Sequence, residues 1–290
     1  MSEVVTGPTV AAELDLAVER LRGVPDARRE ALELWAAISG DRAARVWLGR
    51  RMSAPPGVAE RFRAAVTRRA GGEPLAYVTG RAAFRTLELD VDARVLIPRP
   101  ETEGLVERVL AWARRHWGDR PWGHALDIGT GSGCIALSLA AEGGFGAITA
   151  VDASAEALSV ARRNAGRSPH GERVRFCQAD LVPPGDTRFD VIVSNPPYVT
   201  KAEHAALDPA VRDFEPAGAL VSGPDGLVHT RAIIGAAEMR LAPGGLLALE
   251  VDSRRAAETL ASAPTAGWRD VRVEHDLFGR PRYLLATKEA

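Results

Sequence analysis

Apolar residues recur three and four positions apart early in the chain, at Leu14, Val18 and Leu21 and again at Leu32, Leu34, Trp35 and Ile38. That spacing lines one face of a helix. Gly23-Val24-Pro25-Asp26, Gly40-Asp41 and Pro55-Pro56-Gly57 interrupt it, so short amphipathic helices are expected from about Ala11 to Arg69, forming a small helical domain over residues 1–72. The pattern changes at residues 75–97, "LAYVTGRAAFRTLELDVDARVLI", where alternation at Leu87, Leu89 and Val91 predicts a β-hairpin, the core of a linker over residues 73–100. A helix follows in "PRPETEGLVERVLAWARR", with prolines ahead of it and Glu101 and Glu103 at its start, where acids favour the helix dipole. From about residue 122 extended and helical segments alternate: "HALDIG", a helix through Leu139, "AITAVD", a helix through Asn164, "VRFCQAD", "FDVIVS", a helix near 226–241, "GGLLALEV", a helix near 254–262, "WRDVRVEHD" and "RYLLATK". Such alternation predicts an α/β fold with a mostly parallel twisted sheet over residues 101–290, closed by an antiparallel edge from the last two strands.

Composition narrows the class. A chain of 290 residues, 46% hydrophobic and 26% charged, has material for a sizeable core. The net charge of −1 gives no electrostatic reason to coat nucleic acid or an acidic membrane, so neither is expected as a partner. Cys134 and Cys177 stand in no metal-like spacing, and neither a signal peptide nor a membrane-spanning run is visible. A cytoplasmic protein without a metal site is expected, and a monomer. Residues 41–69 hold eight arginines against Asp41 and Glu60, which reads as a solvated helical face or a surface for docking a partner.

The chemistry gathers in the second half. "ALDIGTGSGCIALSLA" sets Asp127-Ile128-Gly129-Thr130-Gly131-Ser132-Gly133 between a strand and a helix, where glycines let the backbone turn sharply and a ligand lie close. Asp152 ends the next strand, where an acid binds ribose hydroxyls in nucleotide folds. A carboxylate at the first strand tip, Asp127, would repel a pyrophosphate but suits the ammonium group of S-adenosylmethionine. Asp180 ends the following strand, in position for an adenine amino group, with Leu181 beside it as an apolar wall.

A fourth strand, "VIVSN", runs into Asn195-Pro196-Pro197-Tyr198. Two prolines stiffen this loop. The Asn195 side-chain oxygen and the Pro196 carbonyl could accept both hydrogens of an NH₂ group and aim its nitrogen, while Tyr198 offers a flat face.

These stretches, with "AVDAS", "QADL", "GEPLAYVTG", "VLIPRPETEGLVE", "FEPAGALVSGPDGL" and "LAPGGLLALE", resemble the protein-(glutamine-N5) methyltransferase family, often called PrmC or HemK, over nearly the whole chain. The resemblance implies a class I (Rossmann-like) methyltransferase domain and methylation of the glutamine in the Gly-Gly-Gln motif of peptide chain release factors, with S-adenosylhomocysteine as product. It implies cofactor contacts by Gly129 to Gly133, Asp152, Leu181 and Asn195, an acceptor amide held by Asn195, Pro196, Pro197 and Tyr198, and Arg99 and Glu101 beside the active site. The chain departs from the family pattern at Arg85-Thr86, where a glycine is usual, at "VDSRRAAETL" after "LLALE", and at Leu181, where many members carry tryptophan. The same chemistry on a small-molecule acceptor, an adenine-N6 nucleic-acid methyltransferase and a catalytically silent binding module are the alternatives.

Overall fold

A computed structural model describes residues 7–263 and 266–289. The ends of the expected helical domain and methyltransferase domain, residues 1–6 and 290, lie outside the described residues, as do 264–265. In chain order the elements are α1 (Val10–Arg20), α2 (Ala27–Ser39), α3 (Ala43–Gly49), α4 (Pro56–Ala70), α5 (Leu75–Thr79), β1 (Arg81–Phe84), β2 (Leu87–Asp90), α6 (Pro100–Trp117), β3 (Trp122–Ile128), α7 (Cys134–Glu142), β4 (Phe145–Asp152), α8 (Ala155–Ala165), β5 (Val174–Gln178) and β6 (Phe189–Ser194). Then come α9 (Lys201–Ala205), α10 (Pro209–Arg212), α11 (Val228–Arg240), β7 (Leu241–Glu250), α12 (Ala256–Ser262), β8 (Trp268–His275) and β9 (Pro281–Lys288). The chain forms two compact units, one of Met1–Arg81 with Pro209–Phe214, the other of Ala82–Asp208 with Glu215–Ala290.

In the first unit the predicted helical stripes close on a core of Leu14, Leu21, Leu34, Trp35, Phe62 and Val66, with Trp35 set edge-on to Phe62 at 4.8 Å. Val18, Leu32 and Ile38 pack at its margin. Thr9 caps α1 by accepting from the Ala12 N–H. Two acids are buried against arginines of α4: Glu13 with Arg63, and Glu30, whose oxygens accept from Arg69 Nε at 2.6 Å and Nη2 at 3.3 Å.

The predicted hairpin is shorter than the sequence suggested. Pro74 starts a helix at Leu75–Thr79, closed by left-handed Gly80, so only Arg81–Phe84 and Leu87–Asp90 pair as strands.

The second unit is built on a seven-stranded sheet of order β5-β4-β3-β6-β7-β9-β8, parallel except for β9, which runs antiparallel to both neighbours. Both faces are buried. Ala125, Val191, Val193, Leu246 and Ala248 point toward α6 and α7, while Leu126, Ile192, Leu247 and Leu249 point toward α11 and α12. This period of two explains why the strands read as unbroken apolar runs. Each fully buried Leu, Val or Ile side chain stabilises the unit by about 1.5–3 kcal/mol. Because β4 and β6 flank β3 on opposite sides, the strand order reverses there, and a crevice opens beyond the carboxyl ends.

Candidate active site

Asp127 is fully buried at the end of β3, where its Oδ2 accepts from Thr130 Oγ1 at 2.6 Å and the Ala136 N–H at 3.2 Å. Its Oδ1 is buried and has no hydrogen-bond partner among the described residues. Burial pushes this carboxyl up to about 7, against the lowering effect of those two donors. The loop that follows is stitched to β4 by the Gly129 and Thr130 N–H groups, both 2.9 Å from the Val151 carbonyl. Gly129 and Gly131 have φ of +70° and +55°, and a Cβ on either would meet nothing within 4 Å. The loop therefore needs glycine for its conformation and keeps open space above it. An orphaned anionic oxygen next to a glycine loop facing open space fits the cationic amino-acid end of S-adenosylmethionine.

Asp152 ends β4 with Oδ2 accepting from the Gly131 N–H and Oδ1 from the Ser154 N–H, both at 2.9 Å. These bonds fix the carboxylate and leave lone pairs for a diol. Asp180 is exposed, two residues past the end of β5, which stops sooner than the sequence suggested. Leu181 adopts a left-handed φ of 67°, and the Val182 N–H reaches back to the Asp180 carbonyl at 2.9 Å. This tight turn presses Leu181 against the apolar cluster on the α11 side of the sheet.

Asn195 follows the last residue of β6. Its Nδ2 donates to Thr102 Oγ1 at 3.0 Å, and Thr102 Oγ1 donates to Glu250 Oε2 at 2.7 Å. Thr102 and Glu250 are 2% and 1% exposed, so both depend on these bonds. Burial pushes the Glu250 carboxyl up to about 7, opposed by the Thr102 bond, Arg282 and the Tyr198 hydroxyl and reinforced by Glu101. The Tyr198 phenol is raised well above its ordinary value, by burial first and by Glu250 second. Pro196 is buried and Pro197 partly so. Beyond the loop, Val199 exchanges bonds with Leu220 and Ser222 at 2.9 and 2.8 Å. Gly226 permits the closest approach, since a Cβ there would stand 2.5 Å from the Tyr198 carbonyl.

Arg99 is engaged. Its Nη2 donates at 2.5 Å to buried Glu215, which also accepts from the Ile97 N–H at 3.2 Å, so this pair ties the "PRPET" segment to "FEPAG". Its charge still acts on Tyr198. Glu101 lies in the first turn of α6, and its carbonyl accepts from the Tyr283 hydroxyl at 2.7 Å.

Sequence reasoning singled out Asn195 but missed Thr102, Glu250 and Glu215. Register could have found two of them. Ser194 pairs with Leu249, so Asn195 and Glu250 fall one step beyond, and their parity with Val193 and Ala248 puts both on the α6 face, where Thr102 begins the helix.

A sheet of this order, with acids at the tips of β3 and β4 and a glycine loop between strand and helix, defines a class I S-adenosylmethionine-dependent methyltransferase. Residues 14–80 match the PrmC N-terminal domain family and 114–222 the methyltransferase small domain family. The chain is 43% identical over 223 residues to the release factor glutamine methyltransferase of Deinococcus radiodurans, covering 77% of each chain. It is 39% identical over 282 residues to that of Cereibacter sphaeroides, covering 97% of this chain and 99% of the other. A methyltransferase from Pyrococcus furiosus shares the fold, with a TM-score of 0.51 and 19% identity over 79% of this chain and 98% of that one. The protein belongs to the release factor glutamine methyltransferase family. Its methyl donor is S-adenosylmethionine. No helix among the described residues is long and apolar enough to cross a membrane.

Proposed function

We propose that the protein methylates the side-chain amide nitrogen of the glutamine in the Gly-Gly-Gln motif of peptide chain release factors. The observation that carries this reading is the position of Asn195-Pro196-Pro197-Tyr198 directly after β6, adjacent to the β3 tip that bears Asp127 and the glycine loop. Donor site and acceptor clamp thus share one crevice. When bound, S-adenosylmethionine supplies a methyl group on a cationic sulfur and departs as S-adenosylhomocysteine. Asp127 places a negative oxygen toward the amino-acid end, Asp152 offers lone pairs to the ribose, and Asp180 and Leu181 border the adenine. Asn195 Oδ1 and the Pro196 carbonyl accept the two N–H groups of the glutamine amide, which orients its nitrogen and raises electron density on it. Tyr198 lays its ring against the planar amide, with Arg99 and Glu101 nearby. As the new N–C bond forms, the amide nitrogen gives up one proton to solvent, and positioning replaces a dedicated base.

Labelled S-adenosylmethionine, a purified release factor from the same organism and mass spectrometry of the product test the assignment. One methyl on the Gly-Gly-Gln glutamine is expected, and transfer elsewhere overturns it. Asn195→Ala should lower kcat by about 100-fold or more while cofactor affinity stays within about threefold, because orientation is lost and not the donor site.

A further inference from the structure

We propose that Thr102 and Glu250 are positioning residues that decide which end of the Asn195 side-chain amide faces the acceptor glutamine, an inference that rests on the clamp role of Asn195 given above. A threonine hydroxyl has a single hydrogen to donate. Thr102 commits it to Glu250 Oε2 at 2.7 Å, which leaves Oγ1 able only to accept. The neighbour 3.0 Å away must then be a donor, so Asn195 turns Nδ2 toward Thr102. Its Oδ1 is left for the crevice. Were the amide reversed, Asn195 would meet Thr102 oxygen to oxygen and would offer the glutamine NH₂ another NH₂, so that neither hydrogen bond could form.

Burial strengthens this sorting. Thr102 and Glu250 are shielded from water, so no solvent molecule can substitute for either bond. The same carboxylate also bears on Tyr198, the other side of the proposed clamp. Arg282 from β9 and Glu101 from α6 bear on it with opposite signs, and it adds to the rise that burial first imposes on the Tyr283 phenol and the Cys134 thiol. The ionised form of Glu250, which can only accept, is the form that sets the direction of the chain. Thr102 is central because a hydroxyl between an amide and a carboxylate passes a donor-to-acceptor direction from one to the other.

The test compares Thr102→Val, Thr102→Ser and Glu250→Gln with Asn195→Ala, using the release factor as substrate and calorimetry for S-adenosylmethionine affinity. Thr102→Val should lower kcat by about tenfold or more, with KM for the release factor and cofactor Kd each within about threefold. Thr102→Ser, which keeps the hydroxyl, should recover kcat to within about threefold of wild type. Glu250→Gln can present an NH₂ to Thr102 and free its hydrogen toward Asn195, so it too should lose kcat. Adding Thr102→Val to Asn195→Ala should cost little further kcat, because the side chain that the hydroxyl orients is already removed. Wild-type kcat in both Thr102→Val and Glu250→Gln, a Thr102→Ser chain as impaired as Thr102→Val, or full additivity with Asn195→Ala overturns the proposal. Should Thr102→Val not fold, Glu250→Gln alone and on Asn195→Ala decides by the same criteria. If Asn195→Ala itself leaves kcat intact, the clamp reading fails; if it lowers kcat and the other two variants do not, the positioning role alone fails.

Discussion

At Asp127 a buried carboxylate offers one oxygen to which the proposed donor site assigns the amino group of S-adenosylmethionine. One oxygen is satisfied by Thr130 and Ala136, the other has no partner among the described residues, and burial pushes the group up to about 7. A cationic amino group beside it favours the ionised form, so binding expels a proton from the raised acid. The sign follows: affinity for S-adenosylmethionine increases as pH rises through about 7 and levels off above it. Between about pH 6 and pH 8 the dissociation constant should fall by about tenfold. Calorimetry across that range checks this, and Asp127→Asn should bind weakly with a flat profile, which separates Asp127 from Glu250. The strand-end positions of Asp127 and Asn195 were legible in the sequence because a glycine loop and a proline pair mark where β3 and β6 stop. Thr102 and Glu250 were not. A threonine in a first helical turn reads as a helix start, and a glutamate closing "LLALE" reads as the end of a buried strand. Their meaning lies in which face of the sheet they share, a property of register that one strand alone does not carry.

At the scale of elements, the β1–β2 hairpin shows how a departure from family pattern is accommodated. Arg85 has a φ of 51°, a left-handed conformation that favours glycine. Its side chain offsets the backbone cost: Nε and Nη2 bond Glu142 at 2.7 and 2.6 Å, Nη1 bonds the Glu103 carbonyl at 3.0 Å, and Nη2 reaches Glu107 at 2.9 Å. The far end of the hairpin is held by Asn164, whose side chain accepts from the Asp90 N–H at 2.7 Å and donates to its carbonyl at 3.0 Å. Arg85→Gly should relieve about 1 kcal/mol of backbone strain yet lose the mostly buried pair with Glu142, for a net destabilisation of about 1–3 kcal/mol. Urea unfolding checks the sign, and a variant at least as stable as wild type would mean that the ion pairs contribute less than the strain. The strands of the second unit and its longer helices, though not α9, were readable because both faces of the sheet are buried and apolar runs survive translation into strands. Helix α5 was not, since five residues hold too little periodicity and "LAYVT" has strand-like composition; Pro74 and Gly80 were the only local signs of its ends.

At the scale of the whole molecule, charge that looked like a single patch divides into two kinds. Of the eight arginines between residues 41 and 69, Arg63, Arg68 and Arg69 are tied to Glu13, Glu73 and Glu30 within the first unit. Reversing Arg68 or Arg69 would therefore damage the unit before it tested any partner. Arg42, Arg45 and Arg51 are exposed and better suited to the question. If the helical unit docks the release factor, changing these three to Glu should raise KM for the intact protein by about tenfold while a short Gly-Gly-Gln peptide is methylated as before. Equal KM values for wild type and variant on the intact protein would remove these arginines from the docking surface. The composition revealed the excess of arginine, but not which arginines a buried acid had already claimed.

β9 follows both of its neighbours in sequence yet lies inside the sheet, between β7 and β8, and its Tyr283 reaches the first turn of the helix that carries Thr102. A chain halted on the ribosome before Pro281 would leave β7 with an open hydrogen-bonding edge and α6 without that anchor. Products that lack β9 should therefore be sticky, inert and readily cleared, and competence to methylate waits for the strand that fills the gap in the sheet.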